Sequence, residues 1–151
     1  MMDTDQTALE IHPASLFDLT ALRKLEKLCF PLDAWPLLDM IGALTFPNIV
    51  RYKALWNGEM IGFIAGEIRL AARVGWIATV CVHPDYRRRG IGEQLIRLCE
   101  REMAQPRIRL TVRQSNQAAI NLYRVNGYVE VDRWRRYYNG GEDGIVMEKI
   151  N

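Results

Sequence analysis

Residues 82–92 read Val-His-Pro-Asp-Tyr-Arg-Arg-Arg-Gly-Ile-Gly. An apolar run over 76–82 stops at His83-Pro84, a basic loop follows with glycines at 90 and 92, and an amphipathic stretch over 91–103 comes straight after. A strand, a tight glycine loop and a helix start together make an anion site. The loop N–H groups converge, the helix N-terminus adds about half a positive charge, and Arg87, Arg88 and Arg89 add their own. Glycine lets the backbone approach a ligand closely. The chemistry is that of a phosphate or pyrophosphate. The dinucleotide pattern G-x-G-x-x-G fails at Leu95, and no Gly-Lys-Ser/Thr follows for a nucleotide P-loop. What remains is Arg-x-x-Gly-x-Gly at Arg87, Gly90 and Gly92.

This pattern resembles the acetyl-CoA pyrophosphate loop of the GCN5-related N-acetyltransferases (GNAT). The stretch Asn116-Gln117-Ala118-Ala119-Ile120-Asn121-Leu122-Tyr123, followed by Asn126-Gly127-Tyr128, resembles that family's second motif. Arg136-Tyr137-Tyr138 and residues 142–147 resemble the tail of its N-terminal-amine subgroup, such as the ribosomal-protein alanine acetyltransferases. The resemblance spans about residues 8–150. It implies the GNAT α/β fold, a mixed, mostly antiparallel sheet flanked by helices and splayed between two parallel strands, here 76–82 and 108–112. It implies acetyl-CoA as co-substrate. The pyrophosphate would sit on Arg88, Arg89, Gly90, Ile91, Gly92 and Glu93. The pantetheine arm would run along the backbone of Val80, Cys81 and Val82, with a further contact at Asn116.

Acetyl transfer from a thioester to an amine needs a neutral amine, a hydrogen-bond donor for the developing oxyanion and a proton for the departing thiolate. The resemblance gives the last role to Tyr123. Asn116 also reads as a helix N-cap, worth about 1 kcal/mol. The general base is where the chain departs from the pattern. The subgroup usually shows Leu-Glu-Val-Arg where this chain has Leu110-Thr111-Val112-Arg113. Thr111 cannot take a proton at neutral pH, although it can hold a water. Glu67 and His83 are the substitutes considered, against plainer readings as a strand glutamate and a loop histidine. An α-amine has a pKa of about 7.7–8.0 and lysine about 10.4, so a site without a strong base suits the α-amine. The expected reaction is therefore acetylation of a protein or peptide N-terminus, with Phe30, Trp35, Tyr137 and Tyr138 lining the peptide groove. The alternatives are acetylation of a small amine (a polyamine, amino sugar or amino acid) and a catalytically silent acyl-CoA-binding module.

These residues must be held by a fold, and 151 residues with 49% hydrophobic content suit a single domain over 1–151, with 1–7 flexible. The periodicity predicts a strand over 8–12, helices over 15–29 and 35–43, and a hairpin of 50–56 and 60–70 turning at Asn57-Gly58. A second turn at 73–75 leads into the strand 76–82. The helix 91–103, the strand 108–112, a helix capped at Ser115 or Asn116 and closed by Gly127, and a hairpin of 128–137 with 145–149 complete the chain. Three widely spaced cysteines, Cys29, Cys81 and Cys99, suggest neither disulfides nor zinc, and His12 and His83 are too isolated for a metal. A net charge of +2 implies no nucleic-acid partner, and the absence of a long apolar run implies no membrane span. A cytoplasmic enzyme, monomeric or homodimeric, is expected.

Overall fold

The computed structural model of the chain describes residues 8–33 and 35–151. The expectation of a flexible 1–7 lies outside those residues. The elements are β1 (Leu9–Pro13), α1 (Leu19–Cys29), α2 (Leu37–Thr45), β2 (Ile49–Trp56), β3 (Glu59–Arg69), β4 (Val74–Val82), α3 (Ile91–Met103), β5 (Arg107–Arg113), α4 (Gln117–Val125), β6 (Val129–Trp134) and β7 (Gly144–Ile150). This is the expected order. The seven strands form one sheet in the order β1-β2-β3-β4-β5-β7-β6, antiparallel throughout except between β4 and β5.

Each sheet face carries its own core. On one side α3 contributes Ile91, Leu95, Ile96, Cys99 and Met103, which pack on Ile61, Ile64, Ile108 and Leu110 together with Ile120, Tyr123 and Tyr128. On the other, Leu22 and Leu25 of α1 and Met40, Ala43 and Leu44 of α2 cover Met60, Phe63, Ala65 and Cys81. A bulge in β3 explains the split: Ala54 faces Gly62 and Leu55 faces Met60, so the extra residue Ile61 turns to the first core with Ile64, while Met60, Phe63 and Ala65 face the second. Each fully buried large aliphatic side chain contributes about 1.5–3 kcal/mol.

The sheet opens where the site must be. Parallel pairing of β4 with β5 runs from Val74 to Ile77 against Arg107 to Leu110 and then ceases. At the same point β4 carries a bulge: Ala65 faces Thr79 while Gly66 faces Ile77, which leaves Ala78 as the extra residue. Bulges bend a strand and re-aim its side chains. Here Ile77 belongs to the first core, yet Thr79, two residues on, points at α1 with Cys81.

Three boundaries differ from the sequence expectation by three residues or more, and α2 lies two residues later than expected. The first helical segment begins as a 3₁₀ turn over Leu16–Asp18 before α1, with the Ser15 N–H donating to the Asp18 carboxylate at 2.8 Å. The second turn is at Leu70–Ala72, not 73–75, and Val74 and Gly75 already pair with β3. Gly75 is a packing glycine: a Cβ there would lie 2.8 Å from the Met103 sulfur. β6 stops at Trp134 rather than 137, because Arg136 takes φ +52° and its N–H is captured by the Asp143 carboxylate.

Candidate active site

A cleft of about 1180 Å³ fills the opening between β4 and β5 and extends over the sheet end. One end is the basic loop. Gly90 caps α3 with φ +75° and open space where a Cβ would be, and no side chain caps the helix, so its first N–H groups face outward. Arg87, Arg88, Gly90, Ile91, Gly92 and Glu93 all line the cleft. Arg87 is braced by its Nε donating to the Val82 carbonyl at 3.1 Å. Arg89 is not among the lining residues: its guanidinium stacks over Trp56 and Tyr86 at 5.1 and 5.4 Å. The loop therefore presents two arginines and an uncapped helix end to an anion, which fits a pyrophosphate. His83 is spent locally, its Nδ1 accepting the Asp85 N–H at 3.1 Å.

Val80, Cys81 and Val82 form one wall, on the stretch of β4 that has lost its parallel partner. Leu110, Thr111 and Val112 form the other. Tyr123 lines the same cleft. Its helix is fixed at both ends: Asn116 accepts the Ala119 N–H at 3.2 Å, and Gly127 at φ +97° closes the helix. There the Tyr128 N–H bonds the Tyr123 carbonyl and the Gly127 N–H the Arg124 carbonyl, both at 3.0 Å. The buried Tyr128 ring then meets Tyr123 edge-on at 6.0 Å, and its hydroxyl donates to Glu100 at 2.6 Å. Tyr123 is 8% exposed, and burial pushes its hydroxyl pKa well up, so it stays protonated.

The opposite mouth is aromatic. Trp76 stacks on Trp134 at 5.8 Å, Trp134 meets Tyr137 at 5.1 Å, and Tyr137 meets Tyr138 edge-on at 4.9 Å. Phe30 and Trp35 also line the cleft and pack against the α1–α2 core. Arg113 lies over Tyr138 at 4.8 Å, grips Asp33 with two N–H groups and reaches Glu142 at 2.8 Å. Gly144 keeps this corner open, since a Cβ there would meet Thr111 at 2.8 Å and Tyr137 at 3.1 Å. Glu67 also lines the cleft, but its carboxylate accepts from Arg69 at 2.7 Å.

Two features escaped the sequence reading. The Asp33–Arg113–Glu142 network joins positions far apart in the chain. Glu26 occupies the inward stripe of α1 beside Leu22, Leu25 and Cys29, and is 1% exposed. It accepts from the Thr79 hydroxyl at 3.2 Å, and burial raises its pKa to about 7. A glutamate in the i, i+3, i+4, i+7 row of an apolar face was the available signal. Among the described residues no three His, Cys, Asp or Glu side chains group as a metal site.

The Acetyltransferase (GNAT) family model matches residues 19–128. The chain belongs to that family. An N-alpha-acetyltransferase of Sulfurisphaera tokodaii is 30% identical over 91% of this chain and 90% of its own length. The crystal structure of the ribosomal-protein-S18-alanine N-acetyltransferase from Escherichia coli superposes with a TM-score of 0.85 at 27% identity, over 94% of this chain and 93% of that one. Arabidopsis thaliana NAA60, solved in complex with acetyl-CoA, gives 0.85 at 22% identity over 94% and 98%, which shows the shared fold. No described helix is long and apolar enough to cross a membrane.

Proposed function

We propose that this N-acetyltransferase moves acetyl from acetyl-CoA to the α-amine of a protein or peptide N-terminus, by direct attack within a ternary complex. The observation that carries the reading is the placement of Tyr123. The buried tyrosine lines the same cleft as the parted strands β4 and β5, the arginine–glycine loop and the aromatic cluster. The donor enters along Val80, Cys81 and Val82 with its phosphates on Arg87, Arg88 and the N–H groups of residues 90–93. An N–H of that strand stabilises the oxyanion, and Tyr123 returns a proton to the thiolate. The peptide enters past Phe30, Trp35, Tyr137 and Tyr138. Names of the relatives support the α-amine: an N-alpha-acetyltransferase and a ribosomal-protein alanine N-acetyltransferase. The free thiols of Cys29, Cys81 and Cys99 suit a reducing, cytoplasmic setting.

The test is thiol release from acetyl-CoA with a panel of acceptors: free-N-terminus peptides beginning Ala, Ser or Met, N-blocked lysine peptides, polyamines and amino sugars. Turnover on free-N-terminus peptides with little on blocked lysine peptides is expected. Turnover only on small amines moves Phe30, Trp35 and Tyr138 back to packing roles.

A further inference from the structure

We infer that Glu26 accepts the proton that the attacking amine must lose, the task that Thr111 leaves unfilled. This rests on the acetyl-transfer reading above. Five described carboxylates line the cleft: Glu26, Asp33, Asp39, Glu67 and Glu93. Asp33 is held by Arg113, Glu67 by Arg69 and Glu93 by Arg97. Their oxygens are already committed to guanidinium partners. Asp39 stands exposed to water in the first turn of α2. Glu26 differs from all four: it is buried, takes one hydrogen bond from the neutral Thr79 hydroxyl, and its Oε2 has no partner among the described residues.

The fold builds this placement deliberately. The β4 bulge at Ala78 turns Thr79 onto the α1 face, and without it Thr79 would share a face with Ile77. An unsatisfied buried carboxylate oxygen is unfavourable, and such strain concentrates at working sites. Glu26 is held against β4 by Thr79 and lines the same cleft as Tyr123. The titratable groups near Glu26 are Cys29 on its own helix and Cys81 from β4, and Asp39 and Glu67 line the same cleft. With a pKa near 7, Glu26 is matched to an α-ammonium of about 7.7–8.0.

The step balances. The ammonium gives one proton to the Glu26 carboxylate, and the neutral nitrogen forms the C–N bond as the carbonyl becomes an oxyanion. Collapse breaks the C–S bond, and the thiolate takes the Tyr123 proton. The second nitrogen proton restores Tyr123, and Glu26 releases its proton to solvent.

The experiment measures kcat against pH, at saturating acetyl-CoA and an N-terminal peptide that the wild type turns over, for wild type, Glu26→Gln, Thr79→Val and Glu67→Gln. Wild-type turnover establishes the reaction independently of this inference. The expected result is a wild-type rise in kcat through about pH 7 that E26Q lacks, with kcat lowered 100-fold or more while acetyl-CoA still raises its melting temperature. T79V, which removes the bond that favours the charged carboxylate, moves the rise to higher pH. A rise that survives E26Q with kcat within threefold of wild type, or that E67Q removes instead, overturns the inference. Should E26Q not fold, T79V decides: an unmoved rise overturns it.

Discussion

A carboxyl group buried on a leucine-lined helix face changes what a protein's stability does with pH. The unfolded chain ionises Glu26 near 4.5 and the folded chain near 7. The folded form holds the proton more tightly, so this residue's contribution is fully present below 4.5 and is lost as pH rises through 7. The loss amounts to about 3 kcal/mol at 1.36 kcal/mol per unit. Glu26→Gln removes the ionisation while keeping the shape and a partner for Thr79. Its melting temperature should exceed the wild type's by about 6–12 °C at pH 8, at about 2–4 °C per kcal/mol, and the gap should close by pH 4. Differential scanning calorimetry at the two pH values checks this, and a gap independent of pH would refute it. A substitution that stabilises the fold and disables turnover is what a strained functional group produces. Tyr123 makes the complementary case. Burial keeps its hydroxyl protonated through the whole assay range, so it is a standing donor. Tyr123→Phe should lower kcat about 100-fold or more with acetyl-CoA affinity unchanged, measured by thiol release and calorimetric titration. An equal loss of affinity would make Tyr123 a packing residue.

Elements differ in how openly the sequence displays them. The loop at 87–92 and the ends of α4 were legible because their signals are local: a positive-φ glycine at 90, an Asn cap at 116, a closing glycine at 127. The splayed pair of strands came from the family resemblance, and the loss of pairing beyond Ile77 and Leu110 bears it out. Gly75 misled because a turn glycine and a packing glycine look alike in sequence. Only α3, crossing the sheet with Met103 and Cys99, tells them apart. The role of Glu26 depends on Thr79, 53 residues away, aimed by a bulge that no residue type announces. Gly66 offers the test at this scale. A Cβ there would lie 2.6 Å from the Met103 sulfur and 2.7 Å from that of Cys99, both fully buried. Gly66→Ala should therefore lower stability by about 1–3 kcal/mol, read as a lower urea midpoint at an unchanged slope. An unchanged midpoint would mean that α3 is free to shift on the sheet.

At the scale of the whole molecule, Arg113 is the centre of the bonds that join the rims of the aromatic mouth. Arg113 sits at the end of β5 and ties two separate stretches: Asp33 between α1 and α2, and Glu142 and the Asn139 carbonyl between β6 and β7. Glu142 also accepts the Ser115 N–H at 2.7 Å, and the Asn139 amide reaches the Leu32 carbonyl at 3.3 Å, so the two rims are latched directly as well. The bidentate grip on Asp33 needs a planar guanidinium, which lysine cannot supply. None of these contacts involves the loop at 87–92, which lies at the other end of the cleft. Arg113→Met keeps the side-chain volume over Tyr138 but strands two carboxylates on facing rims. Their repulsion should part the rims and loosen Phe30, Trp35 and Tyr138 together. The Michaelis constant for peptide should rise about tenfold, or 1.4 kcal/mol, with acetyl-CoA affinity within twofold of wild type. Lowering the pH should weaken the same latch in the wild type. Ser115 and Arg113 hold the Glu142 carboxyl below its ordinary value, so its contribution is present above about 4.5 and is lost on acidification below that. Steady-state kinetics for both substrates decides the matter. A parallel loss of acetyl-CoA affinity in Arg113→Met would show that Arg113 supports the sheet opening as a whole, not the acceptor mouth.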